Sequence, residues 1–336
     1  MKKKSLVVLA LLVSATMLFA NGTKEGSSSN DSKKVVRLTF SNVTSQSGKD
    51  GGLLFKKVAE EASNGTLAID LFPDNQLGND RVVIETTQFG DIDIGVSSTS
   101  PIATMYPDFY AFDAPYIFMN PQDAYDKLDG EVGQKILNNM ESIGFKGLGF
   151  WENGFRDFTN DNVAVKLPSD VKGMKVRVME NQVHIAAWKA WGANPTPMAF
   201  TEVFTGLQQG VIDAQENPLG IIDANKFQEV QKYVSLTQHV YTPYFMVMNL
   251  DKYNSLTAVQ KDAIMKAAKA SIDYQRSQSQ KYEGEITKKL IAGGTVVTEI
   301  SDAEKAVWKK VAKDAGVYEL VAEKMDHPEF LTEWLK

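Results

Sequence analysis

The 336-residue chain contains no cysteine. That absence removes disulfides, thiolate metal ligands, cysteine nucleophiles and thioether lipid anchors together. Histidine is scarce as well: His184, His239 and His327 stand far apart, and neither a metal-ligand spacing nor a Ser-His-acid grouping can be read from them. No G-x-S-x-G, H-E-x-x-H or Walker A segment occurs. Gly147-Leu148-Gly149 carries Glu152 where a dinucleotide fingerprint needs glycine. Carboxylates are plentiful, but no motif pairs them, so an acid/base enzyme has no positive support. Positive charge is in deficit, with 36 Lys+Arg against 42 Asp+Glu and a net charge of −6. This balance argues against nucleic acid or an anionic membrane surface as partner.

What is present is the composition of a folded chain, 43% hydrophobic and 23% charged, long enough for two domains. At its start, Lys2, Lys3 and Lys4 precede an apolar run over residues 6–19, and Ala20 closes it. The run is short for a permanent span, which needs about 20 apolar residues. A charged start, a short apolar stretch and a small closing residue predict a secretory signal peptide over residues 1–20. Asn21 stands where a lipoprotein signal would carry its lipidated cysteine, so the expected product is periplasmic and has no lipid anchor. Residues 21–34 are polar and Gly/Ser-rich, which predicts a flexible linker.

From Val35 the patterning is regular. Residues 35–41 alternate as a strand, 50–63 carry apolar positions at helical spacing, and 67–72 form a second strand stopped by Pro73. A second helix over 81–89 stops at Gly90, and 92–96 reads as a short apolar strand. This β-α-β-α-β order predicts a parallel sheet flanked by helices, with ligands expected at the carboxyl ends of its strands. The pattern recurs as a strand over 175–178, a helix over 182–191, a helix over 201–209 capped by Thr201, and a strand over 212–214. Two such units predict an α/β protein with two lobes. Residues 257–290 read as one long helix lying across the body, and Ser301-Asp302-Ala303-Glu304 as a capping box that opens another. A final turn or helix is expected within 326–336.

Arginine is used sparingly. Only Arg37, Arg81, Arg156, Arg177 and Arg276 occur among the 36 basic residues. Arg177 lies inside the strand over 175–178, and Arg156 follows an apolar strand. A planar guanidinium matches a carboxylate with two parallel donors, which lysine cannot reproduce. Each therefore predicts either a carboxylate ligand or an internal salt bridge. Asn217, in Gln215-Glu216-Asn217-Pro218, predicts amide donors at a strand end or a simple turn cap. Trp188, Trp191 and the aromatic run over 109–118 are expected in the core.

Four stretches carry a resemblance: Leu71-Phe72-Pro73-Asp74-Asn75-Gln76-Leu77-Gly78, Gly173-Met174-Lys175-Val176-Arg177-Val178, Gly192-Ala193-Asn194-Pro195-Thr196-Pro197-Met198-Ala199-Phe200, and Gln215-Glu216-Asn217-Pro218. In this order and spacing the chain resembles the DctP-type substrate-binding proteins of tripartite ATP-independent periplasmic (TRAP) transporters. The resemblance implies a two-lobed type II periplasmic-binding fold, with a long helix crossing both lobes, that captures a small organic acid. It implies delivery of that acid to integral membrane subunits, with no cofactor, no metal, no catalysis, and a monomeric receptor. By family pattern Arg177 holds the ligand carboxylate, Arg156 assists, Asn217 hydrogen-bonds, and Phe200 packs. Asp80 and Ser98 fall at further pocket positions.

The expected lobes are 35–154 plus 243–282 and 155–242 plus 283–336. Glu180, beside the arginine, would repel a second ligand carboxylate and accept hydroxyls, which favours a sugar acid such as a uronate over a C4-dicarboxylate. Its alternative is a solvent-facing residue or a pair with Lys189. A secreted enzyme acting on an organic acid and a structural envelope protein are the rival classes.

Overall fold

The structure, a computed structural model, describes residues 35–336. The expected signal peptide and linker lie outside the described residues. Four strands of one sheet come first: β1 (Val36–Ser41), β2 (Leu67–Phe72), β3 (Ile94–Ser98) and β4 (Phe145–Phe155). Five strands of a second sheet follow: β5 (Asp157–Asn160), β6 (Lys175–Val178), β7 (Asn194–Pro197), β8 (Ala214–Asn217) and β9 (Tyr233–Leu236). The chain then returns to the first sheet with β10 (Tyr241–Asn249) and to the second with β11 (Val296–Glu299).

The sheet orders are β2-β1-β3-β10-β4 and β11-β9-β5-β8-β6-β7. Apart from the edge strand β11, both follow one plan. Three parallel strands are followed by one antiparallel strand and a fifth. β10 runs antiparallel to β3 and β4, and β5 runs antiparallel to β8 and β9. Each antiparallel strand comes directly from the other sheet. Only Arg156 separates β4 from β5, and its N–H donates to Val240 O at 2.8 Å, beside the return crossing into β10. The molecule is therefore two-lobed, with the crossings side by side.

The expected β-α-β-α-β order is present: β1 pairs in parallel with β2 and β3, and helices Gln46–Ala62 and Asp80–Phe89 connect them. The first helix starts four residues before its expected position because Ser45 caps it, accepting from Gly48 N at 3.2 Å. Its glycines disguise this turn in the sequence. They are there for close approach: a Cβ on Gly51 would lie 3.0 Å from Gln275 Cβ. β3 lies two residues beyond the expected strand, since Asp93 is used in a turn and accepts from Thr39 N at 2.7 Å.

β8 is displaced in the same sense from 212–214, so Gln215, Glu216 and Asn217 are strand residues and not the turn after a strand. Thr201 does not cap a helix. A 3-10 turn, Phe200–Glu202, precedes helix Val203–Gln208, so no extended residue stands at the cap position.

The long helix, Ala258–Ala292, is capped by Thr257 with Gln260 in a reciprocal box. Its small buried residues Ala267, Ala268 and Ser271 pack on helix Gln46–Ala62 and β4; past Tyr282 it reaches helix Leu219–Ala224 and β11. It thus crosses both lobes. Gln275 fastens it to β4, accepting from Glu152 N at 2.8 Å and donating to Glu152 O at 2.7 Å. Among the described residues no helix is long and apolar enough to cross a membrane. Helix Asp302–Asp314 opens on the Ser301 box as expected, and Glu329–Trp334 is the final helix. Trp188 and Trp191 are core residues, packed edge-on against each other and against Trp308.

Candidate ligand-binding site

The strand ends of the two sheets meet at one cavity. Ser98 ends β3, Arg177 is the penultimate residue of β6, Asn217 ends β8, and Asn153 lies near the end of β4. Asp80, first residue of its helix, and Phe200, first of its 3-10 turn, complete the wall together with Arg156 and Tyr244. These groups surround about 390 Å³ free of protein atoms, part of it open to solvent.

Arg177 is 3% exposed. Its Nε and Nη2 donate to Met198 O at 2.9 and 2.7 Å, which fixes the guanidinium plane. Among the described residues no carboxylate lies within ion-pair distance of it. Its strand neighbours explain this, because Arg177 pairs with Thr196 of β7 and Gln215 of β8, both uncharged. Burial lowers its pKa to about 10, so it remains a cation at neutral pH.

Arg156, 1% exposed, is paired inside the protein through Nε and Nη2. Its Nη2 donates to Glu216 Oε1 at 2.9 Å, to Glu216 O at 2.6 Å and to Asn217 Oδ1 at 3.0 Å, while Nε serves Glu216 Oε2. His239 Nε2 lies 3.0 Å from Glu216 Oε2, and Thr237 Oγ1 lies 2.8 Å from its Nδ1. Burial lowers the His239 pKa, so the ring is neutral, and the carboxylate assigns its proton to Nε2. Burial alone would raise Glu216, but Arg156 and His239 together hold it well below the carboxylate range. The cluster is a closed pair of charges. Asn217 is held within it, its Nδ2 donating to Gln215 Oε1 at 2.6 Å, with the second N–H left for the cavity.

On the opposite wall, Asp80 Oδ1 accepts from Ser97 Oγ at 2.9 Å and Ser98 N at 3.2 Å. Burial nevertheless raises its pKa above the ordinary value. Asn153 Nδ2 reaches Ser98 Oγ at 3.4 Å. The cavity therefore offers one unpaired cation, neutral amides and hydroxyls, one acidic group, and an aromatic face.

The sequence profile described as bacterial extracellular solute-binding protein, family 7 (DctP), matches residues 41–322. The chain belongs to this family. Among relatives, the 2,3-diketo-L-gulonate-binding periplasmic protein YiaO of Escherichia coli (strain K12) is 36% identical, over 84% of this chain and 87% of that one. The C4-dicarboxylate-binding periplasmic protein DctP of Rhodobacter capsulatus is 32% identical, over 78% and 79%. The crystal structure of the sugar acid binding protein DctPAm from Advenella mimigardefordensis, in complex with galactonate, superposes with a TM-score of 0.86. It is 35% identical and covers 90% of this chain and 97% of that one. Membership makes this an extracytoplasmic solute-binding protein of the TRAP type.

In this solute-binding protein six of the seven expected residues, Arg177, Arg156, Asn217, Phe200, Asp80 and Ser98, share the cavity wall. Glu180 does not. It is exposed, lines a small adjoining space whose wall also includes Arg177, Asp80 and Phe200, and makes no ion pair with Lys189. Arg156 takes the internal salt bridge that the sequence left open as its alternative. The sequence reading omitted Asn153, Tyr244 and His239. For His239 the signal is invisible locally: pairing of β5 with both β8 and β9, which sets Phe158 between Glu216 and Ser235, brings Glu216 to it.

Proposed function

We propose that the chain captures a small hydroxylated monocarboxylic acid between its lobes and delivers it, unchanged, to the integral membrane subunits of a TRAP transporter. The observation that carries this reading is Arg177, a buried guanidinium with a free edge, no internal counter-ion, and a cavity beside it. A buried charge without a partner is costly, and a ligand carboxylate supplies the missing anion. The one-carboxylate preference follows from the same count of charge. Arg156 is neutralised by Glu216, so a second ligand carboxylate would find no free cation and would face Asp80. Similarity to proteins described as binding galactonate and 2,3-diketo-L-gulonate supports a sugar acid. The C4-dicarboxylate relative keeps the alternative in the same transporter class.

The lobes in this reading are residues 35–154 with 243–282 and residues 155–242 with 283–336, and they close on the ligand about the adjacent crossings at Arg156 and Val240. Contacts such as Asn225 Nδ2 to Thr44 Oγ1, at 3.4 Å, join the two sides. A thermal-shift and calorimetric panel of galactonate, glucuronate, succinate and malate tests the reading, with chromatography of the recovered acid. Sugar acids are expected to stabilise the protein and to be recovered intact. Succinate or malate ranking above every sugar acid would overturn the monocarboxylate reading, and turnover of a bound acid would overturn the receptor reading.

A further inference from the structure

A larger space adjoins the Arg177 cavity on the side of the strand crossings, and Thr44 and Asn153 belong to the walls of both. Beyond them it runs between the start of helix Leu219–Ala224, at Pro218, and the long helix around Ser279, Tyr282 and Ile286. About 1210 Å³ there is free of protein atoms, part of it open to solvent. Asn153 and Thr44 stand where the two spaces meet.

Three observations single out Asn153. It is 8% exposed, and its Oδ1 has no hydrogen-bond partner although Nδ2 reaches Ser98. A buried amide half without a partner is costly, and native proteins rarely keep one without use. Second, Asn153 is the extra residue of a β-bulge: β10 pairs Thr242 with Gly154 and Pro243 with Glu152, and nothing stands opposite Asn153. A bulge of this kind re-aims a side chain. Third, the backbone on both sides is fixed. Gln275 holds both the N–H and C=O of Glu152, and Gly154 has φ +122° with Pro218 Cβ 3.3 Å from where its own Cβ would be. The strand cannot rotate to hide the amide.

The other way out of the Arg177 cavity leads past Glu180 and Arg81, which are exposed. Polar groups there are already solvated, so they gain less from a ligand than a buried group does.

We propose that Asn153 reads the hydroxylated chain of the ligand: with the carboxylate on Arg177, the carbon chain runs past Asn153 into the larger space, and the free half of its amide hydrogen-bonds a ligand hydroxyl. This rests on the receptor reading above. Turning the amide over exchanges acceptor for donor and still leaves one half free, and a hydroxyl satisfies either. Asn153, and not Glu180, is then the residue that sets preference for hydroxylated acids.

Calorimetry of wild type and Asn153→Leu with galactonate, erythronate and lactate tests this, because the three share the carboxylate and shorten the hydroxylated chain stepwise. Wild-type affinity should fall along the series. Asn153→Leu should weaken galactonate by about tenfold and leave lactate within about twofold. Melting temperatures are measured in parallel, and Asn153→Ala, with the same expectation, serves if the leucine variant does not fold. Equal weakening of all three acids, or no weakening of galactonate, overturns the proposal while leaving the receptor reading intact. Wild-type protein that binds none of the three overturns both.

Discussion

Two arginines stand in one cavity wall, both almost fully buried, and their surroundings differ in kind. Arg156 lies at the junction of β4 and β5, where the neighbouring β8 presents Glu216 to it. Arg177, on β6, has only Thr196 and Gln215 beside it in the ladder. The first arginine meets its counter-charge inside the protein, and the second faces a space where a counter-charge can enter. Burial and residue type are the same, so neither distinguishes a structural arginine from a receptive one. Cross-strand register does. The role of each follows from which side chain the adjacent strand sets opposite it.

The largest effect should come from breaking the closed pair. Arg156→Met leaves Glu216 buried with only neutral His239 as partner, and unfolding in urea should show a loss of roughly 3–5 kcal/mol. Adding Glu216→Leu should restore a large part of it. If Arg156→Met is as stable as wild type, the contrast between the arginines collapses.

The open side predicts a different signature. Arg177→Ala should cost roughly 2–5 kcal/mol of affinity for a bound acid. Stability in the absence of ligand should change far less than in Arg156→Met, because no internal ion pair is broken. Arg177→Lys should recover only part of the binding, since an ammonium cannot match the planar carboxylate. Unchanged affinity by calorimetry would assign both arginines to structure.

The same contrast divides the acids near the crossings. Glu216 is held low by its partners, whereas Glu283, on the long helix, is pushed up to about 7, first by burial and then by Glu152. Asp157, whose Oδ2 has no partner, is raised well above its ordinary value, also by burial first. The folded chain then keeps a proton on Glu283 that the unfolded chain releases above about 4.5. Because the folded state binds more protons in this window, stability should fall as pH rises from about 4.5 to 7. Glu283→Gln should flatten that slope in thermal melts. A slope that survives in both Glu283→Gln and Asp157→Asn would place its origin elsewhere.

The smallest effect concerns Glu180. Exposed and outside the cavity wall, it should tolerate Glu180→Gln with a change of about 0.5 kcal/mol or less in affinity for any acid. A larger change in calorimetry would restore the role that sequence suggested for it.

Much of the local structure was legible because local chemistry dictates it. The alternation in β1, the glycine stop at Gly90 and the Ser301 capping box each place an element without reference to the rest of the chain. Arg177 was legible as a pocket residue through the family motif that contains it, and Asp80 through its place two residues after the motif that ends at Gly78. The remainder depends on long-range pairing. The expected lobe boundary at 154/155 falls near Arg156, but nothing in the stretch from Phe145 to Asn160 announces that β5 enters the second sheet as an antiparallel strand between β8 and β9. The bulge that aims Asn153 exists only because β10 skips it, and β10 is contributed from far along the chain. His239 has no motif of its own, and acquires a role only when β5 pairs with both β8 and β9.

The exchange of antiparallel strands has a consequence for how the chain must be made. β10 fills the slot between β3 and β4, and Ser98 finds its partner Tyr244 only after five strands of the second sheet, β5 to β9, have been traversed. The sheet whose strands emerge first is thus the one completed late. Until residues 241–249 arrive, β3 and β4 each present a bare edge, and bare edges are templates for a neighbouring molecule's strand. Pairings this distant in sequence also form slowly. Cutting the gene at Arg156 would leave the first fragment without β10, a central strand of its sheet, while the second would keep all six strands of its own sheet and carry β10 unpaired, so the first fragment would not be a miniature of the lobe it was meant to isolate.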